Sequence, residues 1–355
     1  MPLIHLILLI AGGALVAFTL NISGLQNAEW YSAIIAVLLA IGLYASTYGI
    51  ELKEARKHFK IILSAVTIGV LLKSLITGLT LAFIFKDPFF IILGIAVAQI
   101  DPLSVAGLMR GNRMSKKAKT ILASWASFDD PITVLLSLYA PLVIIQLTGI
   151  ELGSINSATT TNSFWAYFFE LGLNLGLAAQ AFCLYTVIRF YAKQLTAWIA
   201  AGASLALYIL LAVTFSVSII YFMMLGIALI GLFLRPPKVD NFIDIIIKSA
   251  LWIAALLLGL LLIGGVDVWK GVALGFMGYA AQIVVGFILT HKLKKKDKWH
   301  IAFAQQNGIT AIILALLFEP VHPGTVSIVA PAIIVINSLH WLCNRIVDKT
   351  VLKAP

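Results

Sequence analysis

Long apolar runs separated by short polar segments make up the whole chain. Most of these runs approach the ~20 residues that a helix needs to cross about 30 Å of bilayer hydrocarbon. We therefore predict an all-α polytopic membrane protein with about twelve transmembrane helices. The predicted spans, numbered 1 to 12, are 3–20, 30–50, 60–85, 88–109, 117–146, 163–191, 195–215, 217–235, 243–265, 270–291, 299–319 and 325–347.

The basic residues lie between these runs and alternate between the two sides of the membrane. With the N-terminus inside, the cytoplasmic loops collect every one of the 25 Lys and Arg residues except Lys73, Lys86 and Lys270. Positive loops on the cytoplasmic side set the orientation of membrane proteins. This pattern predicts a multi-pass protein of the cell membrane with both termini cytoplasmic. It also accounts for the net charge of +10 without nucleic acid as a partner.

Composition narrows the functional class. Hydrophobic residues form 61% of the chain, charged residues form 11%, and the mean hydropathy is +1.03. These values exclude an ordinary soluble enzyme, and residues 1–355 are predicted to form a single membrane domain without a soluble appendage. The two cysteines lie in apolar runs without the spacing of a metal site or a disulfide. We expect a protein without enzymatic activity.

Three acidic residues fall inside predicted spans. Asp101 precedes a proline in span 4, and Asp129 and Asp130 are adjacent in span 5. A carboxylate at mid-membrane costs roughly 2.5–3.5 kcal/mol, so such residues usually line an ion or proton pathway. Pro102 removes a backbone donor and disfavours a helical conformation at the residue before it. Span 4 is therefore predicted to be broken, with free carbonyls at membrane depth.

The break has a counterpart near the C-terminus. Ala-Gln-Ile-Asp-Pro at 98–102 corresponds to Ala-Gln-Gln-Asn-Gly at 304–308 in span 11. The distance from Asp101 to Asp130 is 29 residues, and the distance from Asn307 to Asn337 is 30. Spans 4 and 11 are seven spans apart in the predicted order. Because seven is odd, they cross the membrane in opposite directions. This predicts an inverted repeat of spans 3–5 and 10–12, in which two broken helices cross near the midplane.

The adjacent carboxyl groups indicate ion chemistry. Two neighbouring carboxyls in a low dielectric cannot both ionise cheaply, so they bind protons as a coupled pair. A hard monovalent cation prefers oxygen ligands and would compete with protons for the same oxygens. On a helix, Asp129 and Asp130 point about 100° apart, so their roles can differ. For Asp101, helix capping and direct ligation remain open. The possible additional ligands are Ser127, Ser104 and Asn307.

These residues resemble a known family. Tyr-Gly-Ile-Glu-Leu at 48–52, the Asp-Pro break, the basic loop and Phe-Asp-Asp at 128–130 are similar to the two-aspartate branch of the monovalent cation/proton antiporters. The resemblance implies exchange of H⁺ for a monovalent cation, Na⁺ or Li⁺ first and K⁺ second, a homodimer in the bilayer, a role in pH homeostasis, and no cofactor beyond the transported ions. It implies that Asp130 is the principal ion-binding residue, that Asp129 is its proton-carrying neighbour, and that Asp101 balances the half-helix ends.

One position departs from that family. Many members of the branch carry a lysine in span 10 that pairs with the first aspartate, and Gln282 occupies the matching position. Lys73 lies mid-membrane in span 3, the repeat partner of span 10, and needs a counter-ion. We hypothesise that Lys73 pairs with Asp129 or Asp101. Gln282 and Gln305 are predicted to be polar core residues.

The resemblance also implies a division of labour. Residues 60–146 and 270–347 would form the ion-transporting core, and residues 1–59 and 163–265 the scaffold and dimerisation bundle. Two alternatives remain open. A sodium-coupled symporter of organic solutes shares broken helices and inverted repeats, and a pH or ion sensor, or a channel, would bind the ion without exchanging it for protons.

Overall fold

The computed structural model describes residues 3–50, 57, 59–109, 113–148, 164–194 and 197–350. All regular elements in these ranges are helical. The helices are Leu3–Leu20, Glu29–Tyr48, Phe59–Ser64, Val70–Phe85, Phe89–Val97, Pro102–Met109, Lys116–Thr148, Phe164–Gln194, Ala197–Ile220, Met224–Gly231, Asp240–Leu261, Val268–Leu289, Lys295–Ala302, Ile309–Phe318 and Thr325–Thr350.

Within the described residues, these helices correspond in order to the twelve predicted spans. Seven are continuous and apolar enough by length and composition to cross a membrane, and the remainder are shorter, broken or more polar. Span 4 consists of Phe89–Val97 and Pro102–Met109, and span 11 of Lys295–Ala302 and Ile309–Phe318. The predicted all-α membrane fold with two broken helices is confirmed.

One predicted boundary is wrong. Span 7 continues to Ile220, and span 8 contains only the short helix Met224–Gly231. The turn between them includes Phe222, whose φ of 53° lies in the left-handed region. A bulky residue seldom adopts this conformation, and neither Gly nor Pro marks the turn in the sequence.

Small residues bring the spans of each repeat together. In the first repeat, a Cβ atom on Gly94 would lie 2.6 Å from Gly78 Cα, so spans 3 and 4 pack backbone to backbone. In the second repeat, a Cβ atom on Gly286 would lie 2.7 Å from Ala302 Cα, which brings span 10 equally close to span 11. Close packing of small residues is a usual means of helix association in membranes.

Span 3 is wider than a regular helix just before its lysine. A π-helical turn at Ala65–Gly69 separates Phe59–Ser64 from Val70–Phe85. Such turns often accompany functional sites because they change the direction of the following side chains. The turn precedes Lys73 by one helical turn and therefore affects where the Lys73 side chain points.

The remaining spans pack around this assembly. Span 1 packs along span 9, and span 2 along span 8. The Thr47 hydroxyl of span 2 donates to Ala228 O of span 8 at 2.6 Å. Span 2 also contacts the second half of span 11, where the Tyr31 hydroxyl donates to Leu316 O at 2.8 Å. The division into a moving core and a scaffold remains a prediction.

Candidate functional site

The two unwound segments bind each other where spans 4 and 11 cross. The Asp101 N–H donates to Gln306 O at 2.9 Å. The Gln305 side-chain amide donates to Val97 O at 2.6 Å and so satisfies a carbonyl at the end of the first half of span 4. Backbone groups freed by a helix break need such partners at membrane depth. Each break therefore supplies hydrogen bonds that the other needs.

Lys73 and Asp129 form a buried ion pair beside this crossing. Lys73 Nζ lies 2.8 Å from Asp129 Oδ2, and both side chains are fully buried. The Ile100 N–H donates to the same oxygen at 2.8 Å, and Lys73 Nζ lies 5.2 Å from the centre of the Trp125 ring. Of the two partners expected for Lys73, Asp129 is the one in contact. The pair links spans 3 and 5 to the break in span 4.

Asp101 belongs to span 4, but its side chain lies against the start of the second half of span 11. The Asp101 carboxyl group packs so closely against Gly308 that a Cβ atom at this position would overlap it. Gly308 is the N-cap residue of Ile309–Phe318. A helix N-terminus carries a partial charge of about +0.5, which stabilises a carboxylate placed there. Glycine at 308 therefore allows Asp101 to reach a favourable electrostatic position.

Asp130 lies among these groups, and none of the described basic side chains is its own counter-charge. It is 1% exposed, and its neighbours include the carboxyls of Asp101 and Asp129. The Thr310 hydroxyl lies against the Asp130 carboxyl group. Within the part of the chain that the structure describes, no basic side chain forms an ion pair with Asp130, and its Oδ1 accepts no hydrogen bond.

The second repeat closes its break with amides. The Asn307 N–H donates to Asn337 Oδ1 at 2.9 Å, and Asn337 Nδ2 donates to Asn307 O at 3.0 Å. Gln282 Nε2 donates to Ile301 O at 3.1 Å in the first half of span 11. These hydrogen bonds join spans 10 and 12 to span 11 without any charge. They correspond to the contacts of Lys73 and Asp129 in the first repeat.

The other predicted ligands take different positions. Ser127 is buried one turn before Asp130. The Asn307 side-chain amide is also buried, while its backbone binds Asn337. The side chain of Ser104 lies outside the described residues. The predicted residues that the structure brings together at the crossing are Asp101, Asp129, Asp130, Lys73, Gln305 and Asn307.

Two side chains at the crossing are missing from the predicted set. Thr310 faces Asp130, and its position two residues after the Gly308 breaker was a usable sequence signal. In the sequence, Asn337 is marked only by its 30-residue spacing from Asn307. In the structure these two residues are hydrogen-bonded to each other. A hydrogen bond between an amide side chain and an irregular backbone has no sequence motif of its own.

Comparisons with known proteins concern the fold of the whole chain. No protein-family model matches the chain, and no curated protein does. Two structures of the sodium proton antiporter MjNhaP1 from Methanocaldococcus jannaschii are similar to it. The structure at pH 8 has a TM-score of 0.61 and 16% identity, and covers 98% of this chain and 96% of that chain. The electron-microscopy structure has a TM-score of 0.67 and 17% identity, and covers 98% and 92%.

The similarity extends over nearly the whole of both chains, so it concerns the complete architecture and not a shared fragment. The fold expected from the sequence resemblance to cation/proton antiporters is thereby confirmed. This chain is a multi-pass membrane protein with the fold of the sodium proton antiporter MjNhaP1.

Proposed function

We propose that this protein is a secondary antiporter that exchanges H⁺ for a monovalent cation, Na⁺ or Li⁺ first and K⁺ second. The observation that carries the proposal is the charge arrangement at the crossing. Asp129 is neutralised by Lys73 at 2.8 Å. Asp101 lies against the N-terminus of a half-helix. Asp130 is buried between them, and among the described residues it has no cationic partner.

A buried carboxylate without a counter-charge binds either a proton or a metal cation. The free energy cost of leaving it ionised and alone in the membrane favours occupation by one of the two. Because both use the same oxygens, binding of one releases the other. This competition couples the two ion gradients, provided that the site opens to one side of the membrane at a time.

The proposed roles follow from the contacts. Asp130 exchanges the proton and the cation. Asp129 is a fixed counter-charge for Lys73, which differs from the proton-carrying role implied by the family resemblance. Its two hydrogen bonds to Oδ2, from Lys73 and Ile100, favour this fixed role. Because Asp130 exchanges ions in this scheme and Asp129 does not, one proton exchanges for one cation.

Movement and location complete the proposal. Spans 3–5 and 10–12 would move against the scaffold of residues 1–59 and 163–265, which would also form a homodimer. Both termini would be cytoplasmic in the cell membrane, as the basic loops favour. In the cell such exchange contributes to pH homeostasis.

The test is ion exchange in proteoliposomes. A pH gradient is imposed across vesicles containing the wild type, and dissipation of the gradient is followed after addition of Na⁺, Li⁺ or K⁺. We expect a cation-specific response that Asp130→Asn abolishes. Asp267→Asn is the matched control, because Asp267 is a partly exposed carboxylate at the start of span 10 and asparagine preserves its capping oxygen.

Two results would contradict the proposal. One is the absence of a response to any cation by folded, inserted wild-type protein. The other is a response in Asp130→Asn equal to that of the wild type. Uptake that depends on an added organic solute would favour a sodium-coupled symporter.

A further inference from the structure

Thr310 presents a buried hydroxyl group to the acidic cluster. It is the second residue of Ile309–Phe318, the second half of span 11, and its side chain is fully buried. The hydroxyl faces Asp130. Among the described residues, no backbone carbonyl accepts a hydrogen bond from Thr310 Oγ1. The hydroxyl is therefore directed at the acidic cluster and not at its own helix.

Thr310 departs from the usual bonding of threonine in a membrane helix. Threonine in a membrane helix usually donates to a carbonyl of the preceding turn. Thr214 does so to Leu210 O at 2.9 Å, and Thr290 to Gly286 O at 2.6 Å. The corresponding carbonyl for Thr310 belongs to Gln306, in the unwound segment.

That carbonyl already has a partner. Gln306 O accepts the Asp101 N–H at 2.9 Å, the hydrogen bond that joins the two breaks. The crossing of the breaks therefore places Thr310 two residues after the glycine against which the Asp101 carboxyl group packs. The result is a cluster of oxygen atoms from three spans: Asp101 of span 4, Asp130 of span 5 and Thr310 of span 11.

We propose that the Thr310 hydroxyl is a ligand of the transported cation and is the contribution of the second repeat to the ion site. This inference rests on the proposed antiport. A hard monovalent cation needs several oxygen ligands, and neutral hydroxyl oxygen supplies one without adding charge. A proton needs only one carboxylate oxygen. Thr310 therefore favours the cation over the proton at a site where both bind Asp130.

The position also has a mechanical consequence. Thr310 and Gly308 belong to the same broken span, and Asp101 belongs to the other. A cation held by Thr310 and Asp130 therefore connects the two repeats directly.

The test compares Thr310→Val with Thr310→Ser in proteoliposomes. Valine keeps the shape and removes the hydroxyl, whereas serine keeps the hydroxyl. We expect Thr310→Val to raise the apparent KM for Na⁺ by about tenfold or more, the loss typical of one polar contact to a charged group. Thr310→Ser should stay near the wild-type KM. The pH dependence of exchange at saturating cation should not change in either variant.

Thr214→Val is the matched control, because it removes a buried hydroxyl from span 7 that is bonded to its own helix. We expect its KM for Na⁺ to equal that of the wild type. If Thr310→Val does not fold, Thr310→Ala takes its place with the same expectation. A wild-type KM in the variant lacking the hydroxyl, or equal increases in that variant and Thr310→Ser, would overturn the assignment.

The assays separate this assignment from the proposed function. Loss of exchange in Asp130→Asn together with an unchanged KM in Thr310→Val would leave antiport standing and reject Thr310 as a ligand. Absence of cation-driven proton movement in the wild type would reject both.

Discussion

The two repeats share one backbone design but differ in charge. In the first repeat, Lys73 and Asp129 hold the break of span 4 through an ion pair and one backbone hydrogen bond. In the second, Asn337 holds the break of span 11 through two hydrogen bonds to Asn307, and Gln282 binds Ile301 O. Lysine and aspartate in one repeat are thus replaced by amides in the other.

The difference indicates where ion chemistry takes place. An amide offers both a donor and an acceptor, so Asn337 satisfies both backbone groups of Asn307 and needs no ion. A carboxylate only accepts, so the first repeat needs Lys73 to compensate Asp129 and leaves Asp130 for a proton or a cation. We infer that the first repeat carries the carboxyl group at which ions exchange, whereas the second repeat contributes only neutral groups.

The largest effect is expected from breaking the ion pair. Lys73→Gln leaves Asp129 buried without its counter-charge, and removal of one partner of a buried pair costs about 3–5 kcal/mol. We expect a strongly lowered thermal midpoint in detergent. Asp129→Asn should also destabilise the protein, because it leaves Lys73 uncompensated.

The double variant Lys73→Gln with Asp129→Asn gives the first repeat the amide chemistry of the second. We expect it to recover much of the stability lost by either single variant, since neutral partners often replace a buried ion pair at little cost. Additive losses in this double-mutant cycle would show that the two side chains are not energetically coupled.

A smaller effect is expected in the second repeat. Asn337→Leu preserves volume but removes both hydrogen bonds to Asn307. Each unpaired buried backbone group costs about 1–3 kcal/mol, so the thermal midpoint should fall. The apparent KM for Na⁺ should change little. A large change in KM with an unchanged midpoint would place the Asn337 side chain itself in the ion site.

Much of this arrangement follows from the sequence because its signals are local or periodic. Apolar runs give the spans, and Pro102 and Gly308 mark the two breaks. The free energy cost of placing a carboxylate in the membrane singles out Asp129 and Asp130. The need of Lys73 for a counter-ion narrowed its partners to two, and the structure shows Asp129 in contact.

What the sequence lacks is the geometry between spans. The role of Gly308 in admitting the Asp101 carboxyl depends on a contact between spans 4 and 11. The position of the Thr310 hydroxyl beside Asp130 depends on contact between spans 5 and 11. The hydrogen bond from Asp101 to Gln306 O joins residues about 200 positions apart. The turn at Phe222 depends on packing that overrides the intrinsic preference of its residue.

Proton release on cation binding tests the central claim most directly. Na⁺ is added to weakly buffered, detergent-solubilised protein, and the pH change is measured. Because a site that binds the cation must lose its proton, we predict saturable release of about one proton per bound cation by the wild type and by the Lys73→Gln, Asp129→Asn double variant. Asp130→Asn should release none. Undiminished release by Asp130→Asn, or cation binding to the wild type without any release, would contradict exchange at Asp130.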